Sequence, residues 1–268
     1  MANEVPGVIS LGVGEPDFAT PFHVREAGIQ AMQSAKTFYT ANSGLKELRK
    51  EISAYTEAKT GNRYDPDTEV MVTVGGSEAI DIALRTIINP GDEIFYIEPS
   101  FVSYLPCITM ADGIPVPIEL KAENQFRLTK EQLKRAVTLK SKAVILLFPN
   151  NPTGAIMEKH DLEELLDIIL EHHLLVISDE IYSEMTYGKE HVSITSLPGM
   201  RDRTILINGF SKSYAMTGWR LGYALANHEI MEQMMKVHQY AIMCAPTISQ
   251  YAAVEALKNG SKDVERMK

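Results

Sequence analysis

The feature that most limits how this chain can fold is an alternation. Seven short apolar runs rich in β-branched residues, at 70–74, 93–97, 115–120, 143–148, 174–178, 204–208 and 221–225, are separated by stretches of helical character. Two of those stretches carry apolar stripes at i, i+3, i+4 spacing: Ile80, Ala83, Leu84, Ile87 and Ile88, then Leu162, Leu165, Leu166, Ile169 and Leu170. Strands that read as unbroken apolar runs are buried on both faces, and helices between them supply the cover. The expected fold is therefore α/β, a three-layer α/β/α arrangement around a mostly parallel seven-stranded sheet. In such sheets ligands bind beyond the carboxyl ends of the strands, so the residues after each run carry the functional information.

Four of these strand ends hold chemistry. After the first run comes "GGSEAID", where Gly75 and Gly76 make a turn and Ser77 is placed to cap the following helix. This is either a plain strand-to-helix turn or an anion cradle built from bare amides and a helix N-terminus. After the fourth run, "FPNNPTG" places Asn151 at a proline turn, where its amide can donate or accept. After the fifth, "SDEIYSE" puts Asp179 at the end of an apolar strand, where a buried carboxylate calls for a cationic partner. If that strand continues, Asp179 and Ile181 share a face and Tyr182 stands at its mouth. After the sixth, "NGFSKSYAMTGWRLG" sets Lys212 among Phe210, Ser211, Ser213 and Tyr214. Poor hydration there lowers an amine's pKa and makes it a nucleophile. Arg220 adds a planar cation suited to phosphate.

One ligand would use all of these groups. Pyridoxal 5'-phosphate offers an aldehyde to a lysine, a ring nitrogen to a carboxylate, a ring hydroxyl to Tyr and Asn, and a phosphate to a glycine turn and Arg. The motifs "GEPDF", "FYTANSG", "GGSEAID", "PSFVSY", "NNPTG", "SDEIYSE" and "SKSYAMTGWR", in this order across nearly the whole chain, resemble the class I/II aminotransferases of the fold-type-I pyridoxal-phosphate family. The resemblance implies that Lys212 is the covalent anchor and later the proton shuttle, that Asp179 keeps the ring nitrogen protonated, and that Tyr182 and Asn151 hydrogen-bond the ring hydroxyl. It implies that Phe101 and Ile181 flank the ring, that Gly76, Ser77 and Arg220 hold the phosphate, and that Gly14 and Asn151 lie at the substrate. Tyr39 matches a tyrosine that reaches the phosphate of a neighbouring subunit, which implies a homodimer with shared sites. The implied substrates are an L-amino acid and a 2-oxo acid, exchanging an amino group in ping-pong fashion. A pyridoxal-phosphate lyase acting at Cβ, or a non-catalytic domain binding the same cofactor, would use the same cofactor residues. "MTGWR" is shared by relatives acting on aspartate, aromatic amino acids and N-acetyl-diaminopimelate, and "KVHQY" and "SQYAA" most resemble the Gram-positive members of the last group.

Two departures accompany the resemblance. Many relatives have a hydroxyl residue three positions before the lysine, where this chain has Gly209, so Ser211 is the expected substitute. The family also continues past the position of Lys268 into a small C-terminal domain that supplies an arginine for the substrate carboxylate. The expected organisation is an N-terminal segment at 1–20 that packs with that small domain, a cofactor-binding large domain at 21–260, and the start of a linker at 261–268, in a truncated chain.

Composition excludes several other classes. A net charge of −9 over 268 residues argues against nucleic acid and anionic membranes as partners. No apolar run approaches the roughly 18 residues of a membrane helix, and "MANEVPGVIS" lacks a basic-then-apolar signal. Cys107 and Cys244 lack metal or disulfide-framework spacing, and the chain reads as cytoplasmic. His172 and His173 have no third ligand at metal spacing, so no metal site is expected. Gly12-Val13-Gly14 begins like a dinucleotide fingerprint, but Glu-Pro follows and no helix can start there. The methionines of "IMEQMMKVHQYAIM" read as a packed helix face, and Lys130, Glu131, Lys134 and Arg135 as a solvated one.

Overall fold

Parallel strands and their covering helices define the frame. The computed structural model describes residue 12 and residues 14–268, so most of the expected 1–20 segment, including part of the Gly12–Gly14 stretch, lies outside the described residues. The strands are β1 (Val70–Thr73), β2 (Glu93–Glu98), β3 (Ile114–Glu119), β4 (Ser141–Leu147), β5 (Leu175–Asp179), β6 (Thr204–Gly209) and β7 (Gly222–Leu225). They form one sheet in the order β1-β7-β6-β5-β4-β2-β3. All seven coincide with the apolar runs, and the pairings from β6 through β3 are parallel.

The exception is β7, which is antiparallel to both of its neighbours, β1 and β6. Two reversals restore direction, so β1 runs the same way as β6. The carboxyl ends of β1, β4, β5 and β6 thus lie at one edge of the sheet, and β7 brings its beginning, not its end, to that edge. This topology carries Arg220, just ahead of β7, to the place where the other strands deliver their loops.

Nine α-helices are described: α1 (Phe22–Gln33), α2 (Lys46–Thr60), α3 (Gly75–Ile87), α4 (Tyr104–Met110), α5 (Lys130–Ala136), α6 (Lys159–Glu171), α7 (His228–Ala241), α8 (Thr247–Asn259) and α9 (Ser261–Met267). Side-chain alternation divides β1, β6 and β7 between two cores. Met71, Ile205, Ile207 and Ala224 face one core with Ile80, Ala83 and Leu84 of α3 and Met231 and Met234 of α7. Val70, Val72, Leu206, Tyr223 and Leu225 face the other, with Val24 of α1, Leu48 and Ile52 of α2, and Ala252 and Ala253 of α8. The methionine stripe of α7 is a core face, as its spacing implied. In α6 the buried set is Leu162, Leu165, Ile168 and Ile169. Leu170 is 37% exposed, so the stripe is rotated slightly from the sequence expectation. The expected linker start folds as α9, with Val264 buried against the second core.

Candidate active site

The strand ends enclose a cavity of about 680 Å³. Gly14, Gly76, Ser77, Phe101, Asn151, Asp179, Ile181, Tyr182, Ser211, Lys212 and Arg220 all line it. Tyr39 does not; it stands 77% exposed beside an equally exposed Phe38.

Asp179 ends β5 and is 5% exposed. The sequence reading called for a cation, but among the described residues its partners are neutral donors. The Tyr104 hydroxyl donates to Oδ2 at 2.8 Å, and the Ile181 N–H donates to Oδ1 at 3.2 Å. The strand stops at Asp179 and does not continue through Ile181. Burial pushes the carboxyl pKa up to about 6, with the two hydrogen bonds opposing and Glu180 adding to the rise.

Lys212 follows β6. Its Nζ donates to the Gly14 carbonyl at 2.5 Å and lies 5.8 Å from the centre of the Tyr182 ring. Burial lowers its pKa; Glu15 pulls it back and Arg220 lowers it further. An amine in this setting loses its proton more readily than one in water. Asn151 donates to the Tyr182 hydroxyl at 3.4 Å, and burial and Asp179 raise that phenol's pKa while Asn151 opposes. The loop carrying Asn151 is fixed by its neighbour. Asn150 donates to the Pro99 carbonyl at 3.2 Å and accepts from the Thr153 N–H at 3.1 Å and its hydroxyl at 2.8 Å, tying the end of β4 to the segment that bears Phe101.

The turn after β1 is built around absent side chains. Gly75 has φ +75°, and a Cβ there would lie 2.7 Å from Arg220 Nη2. A Cβ on Gly222 would meet the Gly75 carbonyl carbon at 2.6 Å and the Gly76 nitrogen at 2.7 Å. The helix begins at Gly75 with Val74 as its cap, which places Ser77 inside the first turn and not at the cap expected from sequence. The Val74 N–H is instead accepted by the Glu78 carboxylate. Arg220 holds a left-handed conformation at φ 51° and donates from Nη1 to the Thr217 carbonyl at 3.0 Å. Gly75, Gly76, the start of α3 and Arg220 thus form one concave electropositive corner of the cavity.

The departure at Gly209 has a steric setting. A Cβ there would lie 3.0 Å from Gly222 Cα and 3.1 Å from Ile181 Cδ1, whereas Ser211 already lines the cavity. Sequence reasoning missed Tyr104, although it lies in the quoted "PSFVSY" and its ring meets Phe101 edge-on at 5.8 Å. It also missed Ser100, whose buried Oγ has no partner among the described residues, and Glu15 at the cavity wall.

Comparison with known proteins identifies the family. Residues 6–268 match the family described as aminotransferase class I and II. A putative aminotransferase of Bacillus subtilis, YugH, is 50% identical over 268 residues, covering 100% of this chain and 69% of that protein. An aspartate aminotransferase of Pyrococcus abyssi is 46% identical over 264 residues, 97% of this chain and 68% of its own length. The crystal structure of an aromatic aminotransferase from Pyrococcus horikoshii superimposes with a TM-score of 0.95 at 46% identity, covering 99% of this chain and 72% of that one. The chain belongs to the class I and II aminotransferases, enzymes that transfer amino groups. Among the described residues no helix is long and apolar enough to cross a membrane.

Proposed function

We propose that the cavity holds pyridoxal 5'-phosphate and that the chain uses it to move an amino group between an L-amino acid and a 2-oxo acid by a ping-pong route. The observation that carries this reading is Asp179. A buried carboxyl with a pKa of about 6, facing a cavity and lacking a cation among the described residues, matches a protonated ring nitrogen. The other groups fit the remaining functions of the same molecule. The glycine turn, the N-terminus of α3 and Arg220 suit its phosphate, and Ser211 adds a hydroxyl at the same wall. The hydrogen-bonded pair Asn151 and Tyr182 suits its ring hydroxyl, and Phe101 and Ile181 supply apolar walls for the ring.

When bound, the cofactor supplies an electron sink and a carbon that accepts the amino group. The chain's residues do the rest. Asp179 holds a proton on the ring nitrogen. The Lys212 amine, its proton affinity lowered by burial, anchors the cofactor and then moves a proton at Nζ. Gly14 and Asn151 stand where a substrate carboxylate would enter. Tyr39 and Phe38 are exposed and outside the lining of their own chain's cavity, which supports a homodimer in which Tyr39 reaches the partner's phosphate site. The two free thiols, Cys107 and Cys244, support a reducing, cytoplasmic setting.

The test is chemical. Incubation with pyridoxal 5'-phosphate, borohydride reduction and peptide mapping should place a pyridoxyl group on Lys212, and Lys212→Ala should abolish the visible absorbance. A label on another lysine would overturn the assignment.

A further inference from the structure

We propose that His238 is a positioning residue for the anion cradle: it neutralises Glu78 and ties the cradle turn to α7 and to the loop at 40–44. This rests on the reading that the cradle takes a phosphate. His238 is 0% exposed, in the middle of the "KVHQY" stretch of α7. Its Nδ1 lies 2.7 Å from Glu78 Oε1, and its Nε2 lies 2.9 Å from the Asn42 carbonyl oxygen. The other Glu78 oxygen accepts the Val74 N–H, at the residue before Gly75. One buried imidazole therefore ties α7 to two segments that precede it by 160 and 196 positions in sequence.

The hydrogen-bond chemistry sets the charge of this cluster. A carbonyl oxygen only accepts, so Nε2 carries a hydrogen. The 2.7 Å contact between Nδ1 and Oε1 holds a further proton, on one atom or the other. In either arrangement the pair is neutral overall, whereas Glu78 facing a neutral side chain would bear a full negative charge. That difference matters because of where Glu78 stands. It lies in the first turn of α3, two positions after Gly76, and reaches back over the turn that would receive the phosphate. An unpaired carboxylate there would compete for the positive end of the helix and repel an incoming anion. His238 lets Glu78 brace the turn without that repulsion.

The Asn42 contact extends the effect. Gln250, also 0% exposed, accepts the Leu45 N–H at 2.7 Å and donates to Thr40 Oγ1 at 3.2 Å, and the Ser43 carbonyl accepts from the Val72 N–H of β1 at 3.0 Å. The loop after Tyr39 is thereby held beside the strand that leads into the cradle.

The experiment is equilibrium titration of the chain with pyridoxal 5'-phosphate and, separately, with pyridoxal, which lacks the phosphate; absorbance is the readout and no substrate is present. The parent chain should prefer the phosphorylated form, and absence of any preference would overturn the phosphate reading itself. With that preference established, His238→Gln, which can still donate to Asn42 but brings no compensating proton, should weaken pyridoxal 5'-phosphate binding about tenfold and leave pyridoxal unchanged. The double variant E78Q/H238Q, which removes the charge that His238 offsets, should recover the parent preference. Equal losses for both ligands, no loss in H238Q, or no recovery in the double variant would overturn the proposal. If H238Q fails to fold, the double variant decides by its phosphate preference; if neither folds, the pair serves the fold alone and the proposal is wrong.

Discussion

Asp179 and Glu180 are adjacent, nearly equally buried acids in opposite circumstances. Glu180 is 4% exposed and fully engaged: Oε1 accepts from Ser178 at 3.0 Å and Ser193 at 2.6 Å, and Oε2 lies 2.7 Å from His191 Nε2. Asp179 has one phenol and one backbone N–H, and it faces a cavity. A carboxylate surrounded by the chain's own donors stabilises the frame. One with fewer partners, at a cavity wall, is prepared to meet a charge from outside. The difference lies in which side of the strand end each points to, since neighbouring residues there face opposite ways.

Replacing each acid in turn should separate these roles. The largest effect expected is on chemistry: Asp179→Ala should slow the half-reaction with an amino-acid donor by on the order of a thousandfold, measured by single-turnover spectroscopy, with a much smaller change in cofactor affinity. An unchanged rate would remove Asp179 from the mechanism. Next comes the frame: Glu180→Ala removes the carboxylate that His191, Ser178 and Ser193 share and should cost about 3 kcal/mol in denaturant unfolding. A loss below roughly 1 kcal/mol would place Glu180 outside the frame.

A third prediction uses pH. In the folded chain Asp179 keeps its proton up to about pH 6, but in the unfolded chain only to about pH 4. Folding therefore takes up a proton between those values. The stabilisation from this group is full below about pH 4 and declines as pH rises through about 6. Asp179→Asn needs no ionisation, so at pH 7 without cofactor it should be roughly 2 kcal/mol more stable than the parent, and the difference should vanish near pH 4. Equal stabilities at pH 7 would contradict the burial argument. The smallest effect belongs to Tyr104→Phe, which removes one of the two donors. It should cost about 1 kcal/mol and raise the Asp179 pKa further, visible as a shift in the unfolding pH profile.

The strands were legible because parallel strands buried on both faces must be apolar along their length, and most of the cavity-lining residues because they follow those strands directly. What escaped depends on partners distant in sequence. The Tyr104 hydroxyl that donates to Asp179 comes from 75 positions earlier, so the sequence around Asp179 does not announce it. Ser77 was expected to cap α3, but Gly75 at positive φ starts the helix sooner and Glu78 takes the open N–H. His238 gave no local sign of its role, since its two partners belong to segments near residues 42 and 78. The rotation of α6 follows from the same limit: period alone defines a stripe, while packing decides which edge of it stays covered.

The reversed strand β7 also bears on synthesis. Among the described residues β1 pairs within the sheet only with β7, with Val70 opposite Leu225 and Thr73 opposite Gly222. As the chain leaves the ribosome from its N-terminus, β1 emerges early yet has no strand to pair with until about 150 further residues have been made, whereas β2 and β3 can pair soon after they appear. The cradle shares that delay, because Gly75 lies just after β1 and Arg220 just before β7. A nascent chain can thus assemble the half of the sheet around β2, β3 and β4 well before it brings Gly75 and Arg220 together, and on the proposed function cofactor capture would be a late event in the life of the polypeptide.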